Sequence, residues 1–183
     1  MPPEGWRPGP PGKPGYLFKL LSGTDDVQAV KTAAAFQEEL ELSTERQVKY
    51  MMPGNGRTVL MQMVMHHDWP ELARAGSNWR PERELIQRGV YVNAKDTHGN
   101  TALHFAALTP SGHRHRGAVR ELLEHGADHR IENNNGKTAA DFARSMGRDS
   151  VPDEELAVFI ESAPTPSGFA TGYSKPSSLC AVL

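Results

Sequence analysis

The chain has 183 residues, and its 20 lysines and arginines against 22 aspartates and glutamates give a formal net charge of -2. This length fits one domain with tails, and the near-neutral charge gives no electrostatic reason to expect a nucleic acid as partner. No apolar run approaches the ~20 residues that cross a bilayer, and no apolar segment follows Met1 as in a secretory signal. The single cysteine, Cys180, excludes an intrachain disulfide and indicates a cytoplasmic protein.

Proline and glycine are concentrated at both ends of the chain. Residues 1–15 are predicted to form a disordered arm, with a proline-rich ligand for an aromatic groove as the alternative. Residues 16–53 carry helical periodicity, and Thr44 and Gln47 have the spacing of a capping box. Residues 162–183 are polar and broken by proline and glycine, which predicts a flexible tail.

A repeat occupies the middle of the chain. One motif, Gly-x-Thr followed by small or apolar residues, begins at Gly56, Gly99 and Gly136. A second motif lies between these copies, as Arg83-Glu84-Leu85-Ile86-Gln87-Arg88-Gly89 and Arg120-Glu121-Leu122-Leu123-Glu124-His125-Gly126. Two motifs that recur in the same order indicate a repeat architecture in which each unit stacks on the next.

These residues resemble the ankyrin repeat, and the run Asp96-Thr97-His98-Gly99-Asn100-Thr101-Ala102-Leu103-His104 matches its core motif nearly position for position. The resemblance covers residues 54–161, as copies 54–96, 97–133 and 134–161. It implies an all-α solenoid of about three repeats, with residues 16–53 as a degenerate N-terminal helical cap.

Individual positions of the motif have predicted roles. Gly99 and Gly136 are expected at positive φ before the inner helices, and Gly89 and Gly126 in left-handed caps after the outer ones. The threonines of the Gly-x-Thr motif can cap the inner helices. The family resemblance implies that His104 bonds the backbone of a neighbouring loop.

The first copy departs from the family pattern. Met61, Met63 and Met65 replace its usual residues, which indicates either different packing or a Met-lined binding groove. Insertions are expected within residues 66–81 and 109–117. The first insertion carries Trp69 and Trp79, which are either anchors for a partner or packed on the stack.

The resemblance implies that the chain binds another protein through its hairpin tips and the exposed face of its inner helices. The predicted contacts are Asn55, Arg57, Thr97, His98, Asn100, Leu108, Thr109, Asn134, Asn135 and Lys137, with Trp69 and Trp79 in addition. No nucleophile elbow, phosphate loop or zinc quartet is present, so catalysis, a cofactor and a metal are not expected. The alternative is a metal-dependent enzyme that uses His113 and His115.

The last four residues, Cys180-Ala181-Val182-Leu183, look like a prenylation box, and the final leucine favours geranylgeranyl. The motif implies lipid on Cys180, loss of the last three residues and a methyl ester, with a prenyltransferase and the cytoplasmic face of a membrane as partners. A small ankyrin protein with such an end resembles an adaptor or a bacterial effector delivered into a host. The alternative is a soluble adaptor whose tail is unmodified.

Overall fold

The computed structural model describes residues 37–38, 40–65, 80–108, 113–145 and 153–165. Seven helices lie wholly within them, namely α1 (Glu45–Val48), α2 (Val59–Met65), α3 (Pro81–Gln87), α4 (Ala102–Leu108), α5 (His113–Glu124), α6 (Ala139–Ser145) and α7 (Glu154–Glu161), and residues 37–38 and 40–42 are helical as well. Extended pairing in these segments is limited to one isolated antiparallel bridge between Met51 and Thr58. The predicted all-α class is therefore confirmed.

Helices α2, α4 and α6 form an inner row in which α4 packs against both neighbours. Helix α4 contributes Ala102, Ala106 and Ala107 to the core, and these small side chains let adjacent helices approach closely. In α2 the methionines fill the core instead, because Met61 and Met63 are buried. The hypothesis of a Met-lined binding groove is therefore wrong for these two residues.

Helices α3, α5 and α7 form an outer row, and each packs on the inner helix of its own repeat. Pro81 begins α3, where its missing N–H leaves no helical bond unmade. Asp153 caps α7, because its Oδ1 accepts a hydrogen bond of 2.9 Å from the Leu156 N–H. Helix α5 begins at His113, so the insertion expected over residues 109–117 is helical from His113 onward.

Gly89 and Gly126 follow α3 and α5 with φ of 85° and 88°, which confirms the predicted left-handed caps. The loops beyond them are tied together by Asn93. Its Nδ2 donates to the Gly126 carbonyl at 2.9 Å, and its Oδ1 accepts from the Asp128 N–H at 2.8 Å. One side chain thus satisfies two backbone groups of the next repeat.

The chain before the repeats shares their core. Leu40, Val48 and Met52 are buried in the same apolar cluster as the inner helices. The short α1 begins as the capping-box spacing predicts, since the Thr44 N–H donates to Gln47 Oε1 at 2.7 Å. The apolar side chains that precede the first repeat are therefore buried together with those of the repeats.

Several predicted features lie outside the described residues. They are the arm at residues 1–15, Trp69, Trp79, Thr109, and the tail from residue 166 with Cys180. Among the helices of the described segments, none combines the length and apolarity that a bilayer crossing needs.

Candidate protein-binding surface

A tight turn precedes each inner helix. Asp96 organises the second turn, because its Oδ1 accepts from the backbone N–H of His98 at 2.9 Å and of Asn100 at 2.8 Å. Gly99 adopts the predicted positive φ of 79° in this turn. Asn133 makes the same two bonds in the third turn, to the N–H groups of residues 135 and 137. A single acceptor side chain therefore shapes the second turn and the third.

Successive turns are bonded tip to tip through their backbones. The Thr97 N–H donates to the Asn55 carbonyl at 2.9 Å, and the Asn134 N–H donates to the His98 carbonyl at 2.9 Å. We call the row formed by Asn55, Thr97, His98, Asn134 and Asn135 the hairpin ridge. Because backbone atoms join the turns, most of its side chains are left to face outward.

The predicted contact residues divide by exposure. Five of them are exposed, namely Thr97, His98, Asn134, Asn135 and Lys137. Four are partly exposed, namely Asn55, Arg57, Asn100 and Leu108. Of these four, Asn100 accepts a hydrogen bond of 2.9 Å from Asn133, and Leu108 packs against the core. The five exposed residues thus lie together on one edge of the repeats. Asn100 and Leu108 instead contribute to the contacts within the stack.

His104 is a structural residue. Its Nε2 donates to the Lys137 carbonyl at 3.0 Å, which confirms the bond to a neighbouring loop, and its Nδ1 accepts from Thr101. This hydrogen-bond pattern assigns the proton of the neutral ring to Nε2. Burial lowers the pKa of His104 below its ordinary value, so the ring stays neutral. The Thr101 hydroxyl bonds this ring, so the prediction that it caps the helix backbone is wrong at this position. The prediction is confirmed for Thr58 and Thr138, whose hydroxyls accept from the N–H groups of Met61 and Asp141 at 3.3 Å.

Arg57 lies beside the ridge between the first and second repeats. Its guanidinium carbon is 5.0 Å from the centroid of the Phe105 ring, and its Nε is 4.0 Å from Asp96 Oδ2. Both Nε and Oδ2 are buried without a hydrogen-bond partner. Sequence reasoning named Arg57 but missed the roles of Asp96 and Phe105, because no local pattern brings residues 39 or more positions apart into contact.

The outer row has a different electrostatic character. Its arginines form ion pairs between repeats, such as Arg83 with Glu121 at 2.8 Å and Arg116 with Glu155 at 2.7 Å. These charges satisfy one another, and partly exposed pairs of this kind contribute little to stability.

The described residues contain no group of three or more histidine, cysteine, aspartate or glutamate side chains placed to hold a metal ion. His113 and His115 occupy the first turn of α5, and their side chains lie outside the described ones.

Residues 85–143 match the family model described as ankyrin repeats (many copies). The match runs from α3 to α6 and covers less than half of the chain. It includes the second motif from Leu85 onward in its first copy and in full in its second copy, and the turns organised by Asp96 and Asn133. Ankyrin repeats typically have no catalytic role and support protein–protein interaction. The described helices therefore form an all-α solenoid of the ankyrin-repeat type, and residues 85–143 are similar to the ankyrin-repeat family.

Proposed function

We propose that the chain is a non-catalytic adaptor or inhibitor that binds a partner protein through the hairpin ridge. The observation that supports this proposal is that backbone groups join the turns of the ridge while most of its side chains are exposed. Backbone groups of Thr97 and His98 join the turns, while the side chains of both residues are exposed. Asn134 joins the turns through its backbone N–H and also through its side chain, which donates to the Thr97 carbonyl at 3.0 Å. A surface of this kind is rigid before the partner arrives.

Rigidity matters because binding carries an entropic cost for every side chain and loop that must be ordered. The turns of the ridge are already fixed by the side chains of Asp96 and Asn133 and by the bonds between tips. The partner therefore meets donors and acceptors whose positions are set by the stack. We infer that the affinity for the partner protein arises from several modest polar contacts along the ridge.

Site-specific photocrosslinking tests this proposal. A photoreactive amino acid replaces His98 or Asn135 on the ridge, or Arg120 on the outer helix α5 as the control; all three are exposed. We expect cytosol to yield a discrete crosslinked protein from both ridge positions and not from Arg120. A crosslinked protein obtained from Arg120 alone would place the binding face on the outer row and contradict the proposal.

The proposal includes Trp69 and Trp79 as further contacts, since tryptophan is a frequent anchor in protein interfaces. Trp69→Ala and Trp79→Ala are compared with the parent chain in affinity capture of the crosslinked partner. We expect each variant to capture less of it at unchanged thermal stability. Reduced stability with unchanged capture would assign both side chains to packing on the stack.

We further propose that the tail is geranylgeranylated on Cys180 and brings the repeats to a cytoplasmic membrane face. This part rests on the sequence of the last four residues alone. One lipid chain gives only marginal membrane binding, and the tail carries a single charged side chain, Lys175, in place of a polybasic patch. Membrane attachment is therefore expected to be partial.

A fluorescent protein fused to residues 162–183 tests the tail in eukaryotic cells, with Cys180→Ser as the control. We expect partial membrane fluorescence for the parent fusion and diffuse fluorescence for the control. The mass of the C-terminal peptide then reports the lipid and the methyl ester. A diffuse signal from both fusions, with an unmodified peptide mass, would establish the soluble adaptor instead.

A further inference from the structure

Arg57 differs from the other paired arginines of the described residues in lacking a hydrogen-bonded carboxylate. Arg83, Arg88, Arg116, Arg130 and Arg144 each donate to a carboxylate oxygen, at distances between 2.6 and 3.2 Å. Among the carboxylates that the structure describes, the oxygen closest to Arg57 is Asp96 Oδ2, which lies 4.0 Å from its Nε and outside hydrogen-bond distance.

The surroundings of Arg57 hold its guanidinium in one place. The ring of Phe105 lies under the guanidinium carbon at 5.0 Å, in the geometry of a cation–π contact. Asp96 stands at the Nε end, and its side chain is 1% exposed. The Arg57 side chain is 24% exposed, and its terminal nitrogens donate to no acceptor within the part of the chain that the structure describes. The terminal N–H groups of Arg57 are therefore held in position and remain accessible to an acceptor from a partner.

Three cations, Arg57, Lys95 and Lys137, lie near the ridge, together with the carboxylates of Asp96, Asp141 and Glu132. Lys137 is exposed at the third turn, and the Lys95 Nζ donates to the Glu132 carbonyl at 2.9 Å. Of the carboxylates, Asp96 is buried and Asp141 accepts from the N–H and hydroxyl of Thr138 at 2.9 Å. The exposed carboxylate on this side is that of Glu132.

We propose that the hairpin ridge binds an acidic segment of its protein partner, with a glutamate or aspartate carboxylate on the terminal nitrogens of Arg57. This inference rests on the proposed function and names the chemistry of the partner. A planar guanidinium binds a carboxylate through two parallel hydrogen bonds, which adds directional specificity to the charge attraction. Lys137, aligned with Arg57 two repeats away, supplies a second cation for the same segment.

Fluorescence anisotropy with a labelled peptide of alternating glutamate and glycine tests this inference on the full chain. The matched peptide replaces every glutamate with glutamine. We expect the glutamate peptide to bind about tenfold more tightly than the glutamine peptide, and its affinity to fall with added salt. Equal binding of the two peptides, or no binding of either, would overturn the acidic-partner inference. The photocrosslinking result would then still decide whether the ridge binds a protein.

Substitutions of Arg57 test whether this residue binds a carboxylate of the glutamate peptide. Arg57→Gln is expected to weaken the glutamate peptide about tenfold, and Arg57→Lys to weaken it less, because lysine keeps the charge and loses the fork. Arg83→Gln on the outer row is the control and should leave binding unchanged. Thermal unfolding reports whether Arg57→Gln still folds, and Arg57→Lys decides the question where it does not. Full affinity in Arg57→Lys and Arg57→Gln alike would exclude Arg57 as the anchor.

Discussion

His104 Nε2 donates a hydrogen bond of 3.0 Å to the carbonyl oxygen of Lys137 in the following repeat. The same ring accepts from Thr101 and meets the Phe142 ring edge to face at 5.3 Å. One buried imidazole therefore joins an inner helix, its own turn and the next turn. Its Nε2 donates a hydrogen bond and its Nδ1 accepts one, which fixes the tautomer and the orientation of the ring.

His104→Ala should destabilise the stack by about 2–4 kcal/mol, since it leaves a cavity and two backbone groups without their partner. Urea unfolding followed by circular dichroism measures the loss. His98→Ala is the control, because the His98 side chain is 75% exposed, and it should change stability by less than about 0.5 kcal/mol. Equal losses in the two variants would show that the bond to Lys137 contributes nothing.

Stability should also fall in mild acid. Burial lowers the pKa of His104 in the folded chain from its ordinary value of 6.5. Below pH 6.5 the unfolded chain therefore binds a proton that the folded chain resists, and the free energy of unfolding decreases until the lowered pKa is reached. His104→Gln, which does not titrate, should lose less stability over this range. Identical pH profiles for the two proteins would contradict the prediction.

Two glycines of the turns form a matched pair. Gly99 and Gly136 both have positive φ, at 79° and 69°. A Cβ on Gly99 would lie 2.7 Å from the Asn134 backbone nitrogen, whereas one on Gly136 would meet nothing within 4 Å. Gly136→Ala should cost about 1–2 kcal/mol from backbone strain alone, and Gly99→Ala distinctly more. Comparable losses in urea unfolding would indicate that the neighbouring turn moves aside.

Asn93 offers a test of the outer loops. Asn93→Ala removes the bonds to the Gly126 carbonyl and the Asp128 N–H, and should cost about 1–3 kcal/mol. Asn135→Ala is the control, because Asn135 is exposed. Hydrogen exchange should show faster exchange of the Asp128 amide in the Asn93 variant. An unchanged rate would mean that water or another group replaces the asparagine.

The periodic and local features of the fold were accessible from the sequence. Gly89 and Gly126 predict the ends of α3 and α5, because a left-handed cap strongly prefers glycine. Thr44 and Gln47 mark the start of α1 for a similar reason, since a capping box is a bond between residues three apart. Such features depend on neighbours along the chain, and a single sequence contains them in full.

Features that depend on distant residues were less accessible. The Thr101 hydroxyl bonds His104 Nδ1 because the other ring nitrogen is held by the carbonyl of Lys137, 33 residues along the chain. Met61 and Met63 could equally line a groove or fill a core, and only the arrangement of neighbouring helices decides between the two. The pairing of Arg57 with Phe105 and Asp96 likewise follows from stacking and not from spacing.

The bonds between turn tips have a consequence for how this surface can change. The carbonyl of His98 holds the next turn, while the imidazole contributes little to the stack. A substitution at His98, Thr97 or Asn135 therefore alters what the surface recognises without altering what supports it. The exposed side chains of the ridge can therefore be changed one at a time, by design or by evolution, while the fold stays the same.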